Sequence, residues 1–196
     1  IGLQMLTTSS IKTEYNNIIV SPLAGSLGAE VQNVNLSKNM SDEIMSDIYN
    51  ALLDYQVIFF RDQKFDPASQ KLFANKIGKP VVYPFVKGLE DFPEITPILK
   101  KETDINNFGG IWHSDTTYQE KPPMGTMLYA LETPEFGGDT EFANQYLAYE
   151  RLSDGMRKFL DTLEGVNISG KSRVAKTRSD IMKHASVGLK GDELTA

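Results

Sequence analysis

The sequence predicts an α+β domain built around an antiparallel sheet or sandwich. Short β-branched or apolar runs bounded by proline and glycine recur along the chain, which is typical of strands. Segments with apolar residues at helical spacing lie between these runs. A chain of 196 residues is long enough for one domain with a sizeable core. Because no closing strand precedes Thr195-Ala196, we expect the fold to be incomplete at its C-terminus.

Composition and charge narrow the classes of function. The chain is 40% hydrophobic and 23% charged, as is usual for a soluble globular protein. Its net charge of -6 disfavours nucleic acid as the main partner, and the absence of cysteine excludes disulfides and a thiol nucleophile. There is no basic-then-apolar leader and no apolar run that could span a membrane, so we expect a cytoplasmic protein without a membrane partner. The sequence is compatible with a homo-oligomer.

The first elements are predicted from short local patterns. Ile18–Val20 is a β-branched strand closed by Ser21-Pro22, and Gly25 and Gly28 indicate a turn or bulge near 29–31. Ser41 caps a helix. The expected core-facing stripe of this helix is Ile44, Ile48, Ala51, Leu52 and Tyr55. The run 56–61 predicts a strand buried on both faces.

Later elements follow the same rules. Asp66 and Pro67 begin a second helix that ends before Gly78. Further strands are predicted at 94–99, 124–131, 140–143 and from Val166. Two more helices are capped by Asn144 and Ser153. The expected core stripe of the last helix is Met156, Phe159, Leu160 and Leu163.

Three regions are expected along the chain. Residues 1–17 are polar and turn-rich, so we expect a flexible N-terminus. Residues 18–169 form the domain. Residues 170–196 contain six Lys/Arg, three glycines and no aromatic residue, which predicts a mobile, lid-like polar segment.

The stretch Trp112-His113-Ser114-Asp115 contains the strongest candidate for chemistry. In an extended segment, side chains two residues apart point to the same face, so His113 and Asp115 would converge. Such a pair suits a divalent first-row metal, and two-histidine-one-carboxylate iron sites use these ligands. The alternative is a hydrogen-bonded pair that orients a strand end, and the tetrapeptide alone favours this alternative.

Other motifs accompany this stretch in a fixed order. They are Pro22-Leu23-Ala24-Gly25, Leu27-Gly28-Ala29-Glu30, Gln56-Val57-Ile58-Phe59-Phe60-Arg61-Asp62-Gln63, Pro122-Pro123 and Gly137-Gly138-Asp139-Thr140. With them, the chain resembles the taurine dioxygenase/TfdA family of Fe(II)- and 2-oxoglutarate-dependent dioxygenases from about Ile18 to Gly165. The resemblance implies a double-stranded β-helix (jelly roll) with flanking and inserted helices. It also implies an enzyme that uses O₂ to hydroxylate a small organic substrate, with release of succinate and CO₂.

The resemblance also assigns roles to individual residues. His113 and Asp115 would be two of three iron ligands, and Thr140 would bind a carboxylate of 2-oxoglutarate. Without the resemblance, Thr140 would be an ordinary β-branched strand residue. Trp112 is expected to pack beside the site. The candidates for substrate binding are Tyr83, Phe85 and Asn107.

The chain departs from the family in its second histidine and in its arginines. His184 follows His113 by 71 residues, which is too early for the family's second histidine ligand. We therefore expect His184 to be a solvated loop or helix residue. Arg173 and Arg178 are better explained as lid residues than as the clamp for 2-oxoglutarate. The chain looks like the N-terminal two-thirds of a family member, either truncated or naturally short.

The substrate positions depart as well. Tyr83 and Val86 stand where the taurine-specific branch has the histidine and tyrosine that grip the sulfonate, and Gly109 replaces an asparagine. A substrate that is larger or less polar than taurine fits at least as well. Two other functions stay open. One is a non-catalytic jelly-roll binding module, because the third metal ligand is not evident. The other is a metal-assisted hydrolase that uses the same His/Asp pair but lacks a nucleophile-base set.

Overall fold

The structure is a computed structural model that describes residues 14–169. The chain divides into two compact units. The first includes the described residues 14–69 and 130–163, and the second includes 70–129 and 164–169. The expected lid at 170–196 and the first 13 residues lie outside the described part. Of the expected flexible N-terminus, Tyr15 donates a hydrogen bond of 2.6 Å to Asp54, and Asn17 donates to Asp47 from both its backbone and its side chain.

The first unit contains a small mixed sheet. Strands β1 (Ile19–Pro22) and β2 (Ala29–Gln32) pair antiparallel, and β3 (Ile58–Phe59) pairs parallel with β2. The prediction of a turn or bulge near 29–31 is wrong, because these residues form β2. The turn lies just before it, where the Leu23 N–H donates to the Gly28 carbonyl and Gly28 has a φ of 93°. Ala29 and Val31 alternate as buried residues along β2, as expected for a strand with one covered face.

Helix α1 (Asp42–Tyr55) packs on this sheet. The Ser41 hydroxyl accepts from the Ile44 N–H, as its cap position predicts. Of the predicted stripe, Ile48 and Ala51 are buried and the other three members are half-buried, whereas the third buried residue of the helix, Met45, was not predicted. The helix ends at Gln56, whose φ of 66° turns the chain directly into β3.

The predicted strand at 56–61 is only partly formed. Two residues pair as β3, and Phe59 is 37% exposed, so the expectation of burial on both faces is wrong. The physical reason is that α1 is the one described helix that packs against β3 with several contacts, and a single helix covers only one face of a strand.

The other predicted helices are confirmed. Helix α2 spans Pro67–Ile77, α3 spans Gln145–Glu150 and α4 spans Asp154–Leu160. Asn144 and Ser153 cap α3 and α4 by accepting from the backbone N–H groups of Leu147 and Met156. The apolar stripe predicted for α4 is not buried in the part of the chain that the structure describes. Its exposed members are Met156, Phe159, Leu160 and Leu163.

The later strands are not formed within residues 14–169. The runs 94–99, 124–131 and 140–143 have no strand pairing, and near 166–169 only Ile168 is a single bridge position. Pro97 lies within the first run and Pro122-Pro123 directly precede the second, and proline lacks the backbone donor that strand pairing needs. The second unit instead has a small aromatic and aliphatic core. It includes Phe73, Phe85, Val86 and Tyr118. None of the helices in the described ranges is long and apolar enough to cross a membrane.

Candidate metal centre

His113 and Asp115 meet in the second unit, as the sequence predicts. The His113 Nε2 atom lies 3.0 Å from Asp115 Oδ1, and the two side chains are 44% and 53% exposed. The segment between them is not a strand. Residues with positive φ lie on either side of it, Gly109 at 71° and Thr116 at 51°. The two donor atoms are therefore adjacent and accessible.

The His113 imidazole contacts two hydrogen-bond acceptors, a backbone carbonyl and a carboxylate. Its Nδ1 atom lies 2.6 Å from the Ile111 carbonyl oxygen, and its Nε2 atom faces the Asp115 carboxylate. A neutral imidazole has a single N–H group, so it can satisfy one of these acceptors but not both. Both contacts are favourable only if both ring nitrogens carry a proton, or if Nδ1–H donates to the carbonyl while Nε2 binds a metal ion. Donation from Nδ1 to a backbone carbonyl is also the usual arrangement of a metal-binding histidine.

The distance between the two donors suits a common metal ligand set. Two atoms that each lie about 2.1 Å from one ion, at right angles, are about 3 Å apart. The observed separation of Nε2 and Oδ1 is 3.0 Å. The second carboxylate oxygen of Asp115, Oδ2, accepts a hydrogen bond of 2.7 Å from the Thr126 hydroxyl. The donor chemistry, spacing and supporting hydrogen bonds of this pair therefore fit a divalent metal.

Among the described residues, His113 and Asp115 are the two that the sequence predicts as iron ligands. No cluster of three histidine, cysteine or acidic residues lies within residues 14–169. His184, Arg173 and Arg178 fall outside that range.

An aromatic cluster in the same unit contains two of the candidates for substrate binding. The Tyr83 ring packs edge-on against Phe85 at 5.5 Å between centroids and against Phe108 at 6.3 Å. Phe85 also packs against Tyr118, at 5.8 Å. Phe85 is 1% exposed, whereas Tyr83 is half-buried. This burial argues for a packing role for Phe85 and leaves Tyr83 as the ring that can reach a ligand.

The remaining candidates lie on the surface. Asn107 is exposed, and its carbonyl accepts from the Gly110 N–H in the turn before His113. Thr140 belongs to the first unit and is exposed directly after the Gly137-Gly138 turn. Trp112 is 68% exposed, so the expectation that it packs beside the site is wrong. The side chain of Trp112 points to solvent in a segment without strand neighbours.

Three groups around His113 and Asp115 were not recognised from the sequence as neighbours of this pair. They are the Ile111 carbonyl, the Thr126 hydroxyl and the position of Gly109, where a Cβ atom would lie 3.3 Å from His113 Cε1. No spacing rule indicates them, because the chain between Asp115 and Thr126 has no regular secondary structure. A polar depression of about 330 Å³ lies elsewhere, in the first unit, and contains none of the predicted site residues.

Comparison with characterised proteins identifies similar enzymes. The chain is 34% identical to an alpha-ketoglutarate-dependent sulfate ester dioxygenase of Pseudomonas putida over 163 residues, which is 83% of this chain and 53% of that protein. It is 31% identical to an alkylsulfatase of Acinetobacter baylyi, over 82% of this chain and 50% of that protein. The chain thus spans about half the length of these relatives.

Comparison with solved structures also identifies a dioxygenase. The fold matches the crystal structure of a taurine dioxygenase from Burkholderia xenovorans with a TM-score of 0.64 and 26% identity, over 92% of this chain and 66% of that one. The sequence model of the taurine catabolism dioxygenase TauD, TfdA family matches residues 19–190, which is most of the chain. The motifs around His113 and Asp115 lie within this range, and the chain belongs to the TauD, TfdA family.

Proposed function

We propose that the protein is an Fe(II)- and 2-oxoglutarate-dependent dioxygenase and that this chain supplies two of the iron ligands, His113 and Asp115. The overall reaction converts a substrate C–H bond, O₂ and 2-oxoglutarate into an alcohol, succinate and CO₂. Iron(II) with 2-oxoglutarate would supply the oxidative chemistry, while the protein orients the substrate and excludes water. Membership of the TauD, TfdA family supports this assignment.

The observation that carries the proposal is the environment of the His113 ring. The Ile111 carbonyl lies at Nδ1 and the Asp115 carboxylate lies at Nε2, so a ring that donates from Nδ1 to the carbonyl would present its Nε2 lone pair and Asp115 Oδ1 together to a metal ion. His113 would bind the metal through Nε2, with its other nitrogen held by the backbone. Asp115 would add a negative charge on the same side of the ion.

Further roles complete the proposal. The Thr140 hydroxyl would donate to a carboxylate of 2-oxoglutarate, and Tyr83 and Asn107 would contact the substrate. The complete fold would be a double-stranded β-helix, and the solved taurine dioxygenase with a TM-score of 0.64 supports this architecture. The third iron ligand and the cationic partner of the distal carboxylate of 2-oxoglutarate would come from outside residues 14–169.

We propose a substrate larger or less polar than taurine, with alkyl sulfate esters as the first class to test. The two relatives at 34% and 31% identity are a sulfate ester dioxygenase and an alkylsulfatase. Gly109 also supports a larger substrate, since a Cβ atom there would lie 3.8 Å from His113 Nε2. The absence of a side chain leaves this side of the imidazole open.

The experiment is an anaerobic titration of the full-length protein with Fe(II) in the presence of 2-oxoglutarate. We expect a weak visible charge-transfer band that requires both additions, and we expect it to be lost in His113→Ala and Asp115→Ala. His184→Ala is the matched variant, because His184 is the only other histidine of the chain. Retention of the band in His184→Ala agrees with its expected solvated position, and its loss would identify His184 as the third ligand.

The alternatives predict different results. A binding module would give no band and no consumption of 2-oxoglutarate with any alkyl sulfate, sulfonate or phenoxyalkanoate. A metal-assisted hydrolase would release product without O₂ or 2-oxoglutarate. An undiminished band in His113→Ala would disprove the assignment of this ligand.

A further inference from the structure

We propose that Thr126 is the positioning residue for the Asp115 ligand. The hydrogen bond from the Thr126 hydroxyl to Asp115 Oδ2 would direct Oδ1 toward the metal beside His113. This inference rests on the proposed function, because it assumes that Asp115 binds a metal ion. The tetrapeptide motif around His113 does not contain Thr126, which follows Asp115 by 11 residues.

The two oxygens of Asp115 have different neighbours. Oδ1 lies 3.0 Å from His113 Nε2, and Oδ2 accepts from Thr126 Oγ1 at 2.7 Å. The terminal torsion of an aspartate side chain has a broad, roughly two-fold profile, so an exposed carboxylate can exchange its two oxygens. The Asp115 side chain is 53% exposed, and no burial restrains it. A hydroxyl at Oδ2 therefore selects the oxygen that faces His113.

Thr126 is well suited to this task. Its β-branched side chain has few χ1 rotamers, which fixes the direction of the hydroxyl. A contact of 2.7 Å lies in the range of hydrogen bonds between a hydroxyl and a charged carboxylate. The Thr126 side chain is exposed, so the bond adds little to the stability of the fold. Its main effect is then on the orientation of the ligand.

The backbone beside Asp115 supports the same conclusion. Thr116 has a φ of 51°, which is rare for a β-branched residue. Strained conformations of this kind cluster at functional sites, where the surrounding structure maintains them. The turn that begins at Thr116 is closed by the Gln119 N–H, which donates to the Thr116 carbonyl at 3.0 Å. The backbone thus sets the direction of Asp115, and Thr126 sets the rotation of its carboxylate.

The test removes the hydroxyl without changing the shape of the side chain. Thr126→Val deletes the donor, and Thr126→Ser restores a hydroxyl. Thr117→Val is the matched control, because the Thr117 hydroxyl donates to Asn167 at 3.1 Å and does not contact Asp115. Co(II) is titrated into each full-length variant without 2-oxoglutarate. The dissociation constant, the ligand-field absorption and the thermal unfolding midpoint are measured.

We expect Thr126→Val to bind Co(II) about 10- to 100-fold more weakly than the unmodified protein, as for other residues that hold a metal ligand. Its ligand-field spectrum should change, and its unfolding midpoint should match that of Thr117→Val. Thr126→Ser should recover most of the affinity. Equal Co(II) affinity in Thr126→Val and the unmodified protein would refute the inference alone. Failure of the unmodified protein to bind Co(II) would refute the proposed function and the inference with it.

Discussion

Gly109 lies against the edge of the His113 imidazole. A Cβ atom at this position would be 3.3 Å from His113 Cε1 and 3.8 Å from Nε2. Gly109 also has a φ of 71°, a conformation that other residues adopt at a cost. The glycine therefore serves two purposes, since it allows the turn before Ile111 and leaves room for the ring.

We expect Gly109→Ala to weaken metal binding by moving the His113 ring. The contact at 3.3 Å must relax, and the Ile111 carbonyl at 2.6 Å from Nδ1 restrains the ring. A shift of the ring changes the separation of 3.0 Å between Nε2 and Asp115 Oδ1. Titration with Co(II) should show roughly a tenfold loss of affinity, the lower end of the effects seen when a metal ligand loses its support.

Gly137→Ala is the control for this variant. Gly137 has a φ of 82°, and a Cβ atom there would meet nothing within 4 Å. Both substitutions should cost roughly 1–2 kcal/mol of folding stability through backbone strain. Only Gly109→Ala should lose Co(II) affinity. Equal affinities in the two variants would show that the ring accommodates the added methyl group.

The Gln63 side chain links the loop after β2 to the segment after β3 by hydrogen bonds. Its Oε1 accepts from the Leu36 N–H at 2.8 Å, and its Nε2 donates to the carbonyls of Val34 and Arg61 at 3.2 and 2.8 Å. Leu36 is buried, so this loop contributes to the core of the first unit. One amide side chain thus satisfies three backbone groups in two segments.

We expect Gln63→Glu to destabilise the first unit by roughly 1–3 kcal/mol. The substitution preserves the shape but replaces the donor by an oxygen that faces two carbonyls. Chemical denaturation monitored by circular dichroism measures the change. Gln145→Glu makes the same chemical change at an exposed position at the start of α3 and should alter stability by no more than about 0.5 kcal/mol. A similar loss in both variants would contradict the role of Gln63.

Local sequence patterns predict some of these features and not others. The caps at Ser41, Asn144 and Ser153 were predicted because a cap depends on residues within one turn of the helix. The pairing of His113 with Asp115 was predicted for a similar reason, since only one residue lies between them. The strands at 94–99 and 124–131 were predicted wrongly within the described residues, because a strand requires a partner that its own sequence does not specify.

The contacts that support the candidate metal site could not be predicted either, because they too depend on partners that the local sequence does not specify. The Thr126 hydroxyl reaches Asp115 across 11 residues of irregular chain, and periodicity carries no information about such a contact. Thr126 lies in the run 124–131, where the alternating pattern predicted only a position on one face of a strand. The burial of Phe85 likewise depends on Tyr83 and Tyr118, which come together through turns rather than through regular spacing.

Lys71 of α2 and Glu94 form an ion pair within the second unit. Lys71 Nζ lies 2.8 Å from Glu94 Oε1 and 5.9 Å from the centre of the Phe92 ring. The other oxygen of Glu94, Oε2, is buried and has no hydrogen-bond partner among residues 14–169. The hydrogen bond from Lys71 lowers the pKa of the Glu94 carboxyl below its usual value of 4.5. The charged form of Glu94 is therefore the form that the fold stabilises.

Lys71→Met should destabilise the protein at neutral pH, and the difference from the unmodified protein should shrink in acid. A carboxyl whose pKa is lowered by folding contributes stability above its unfolded pKa, and that contribution is lost as the pH falls through the lower folded pKa. Urea midpoints measured between about pH 7 and pH 3 should converge for the two proteins. Lys79→Met, at an exposed lysine just beyond α2, should show no such pH dependence. A constant difference between Lys71→Met and the unmodified protein across this range would mean that Lys71 stabilises α2 by packing on Phe92 rather than by its charge.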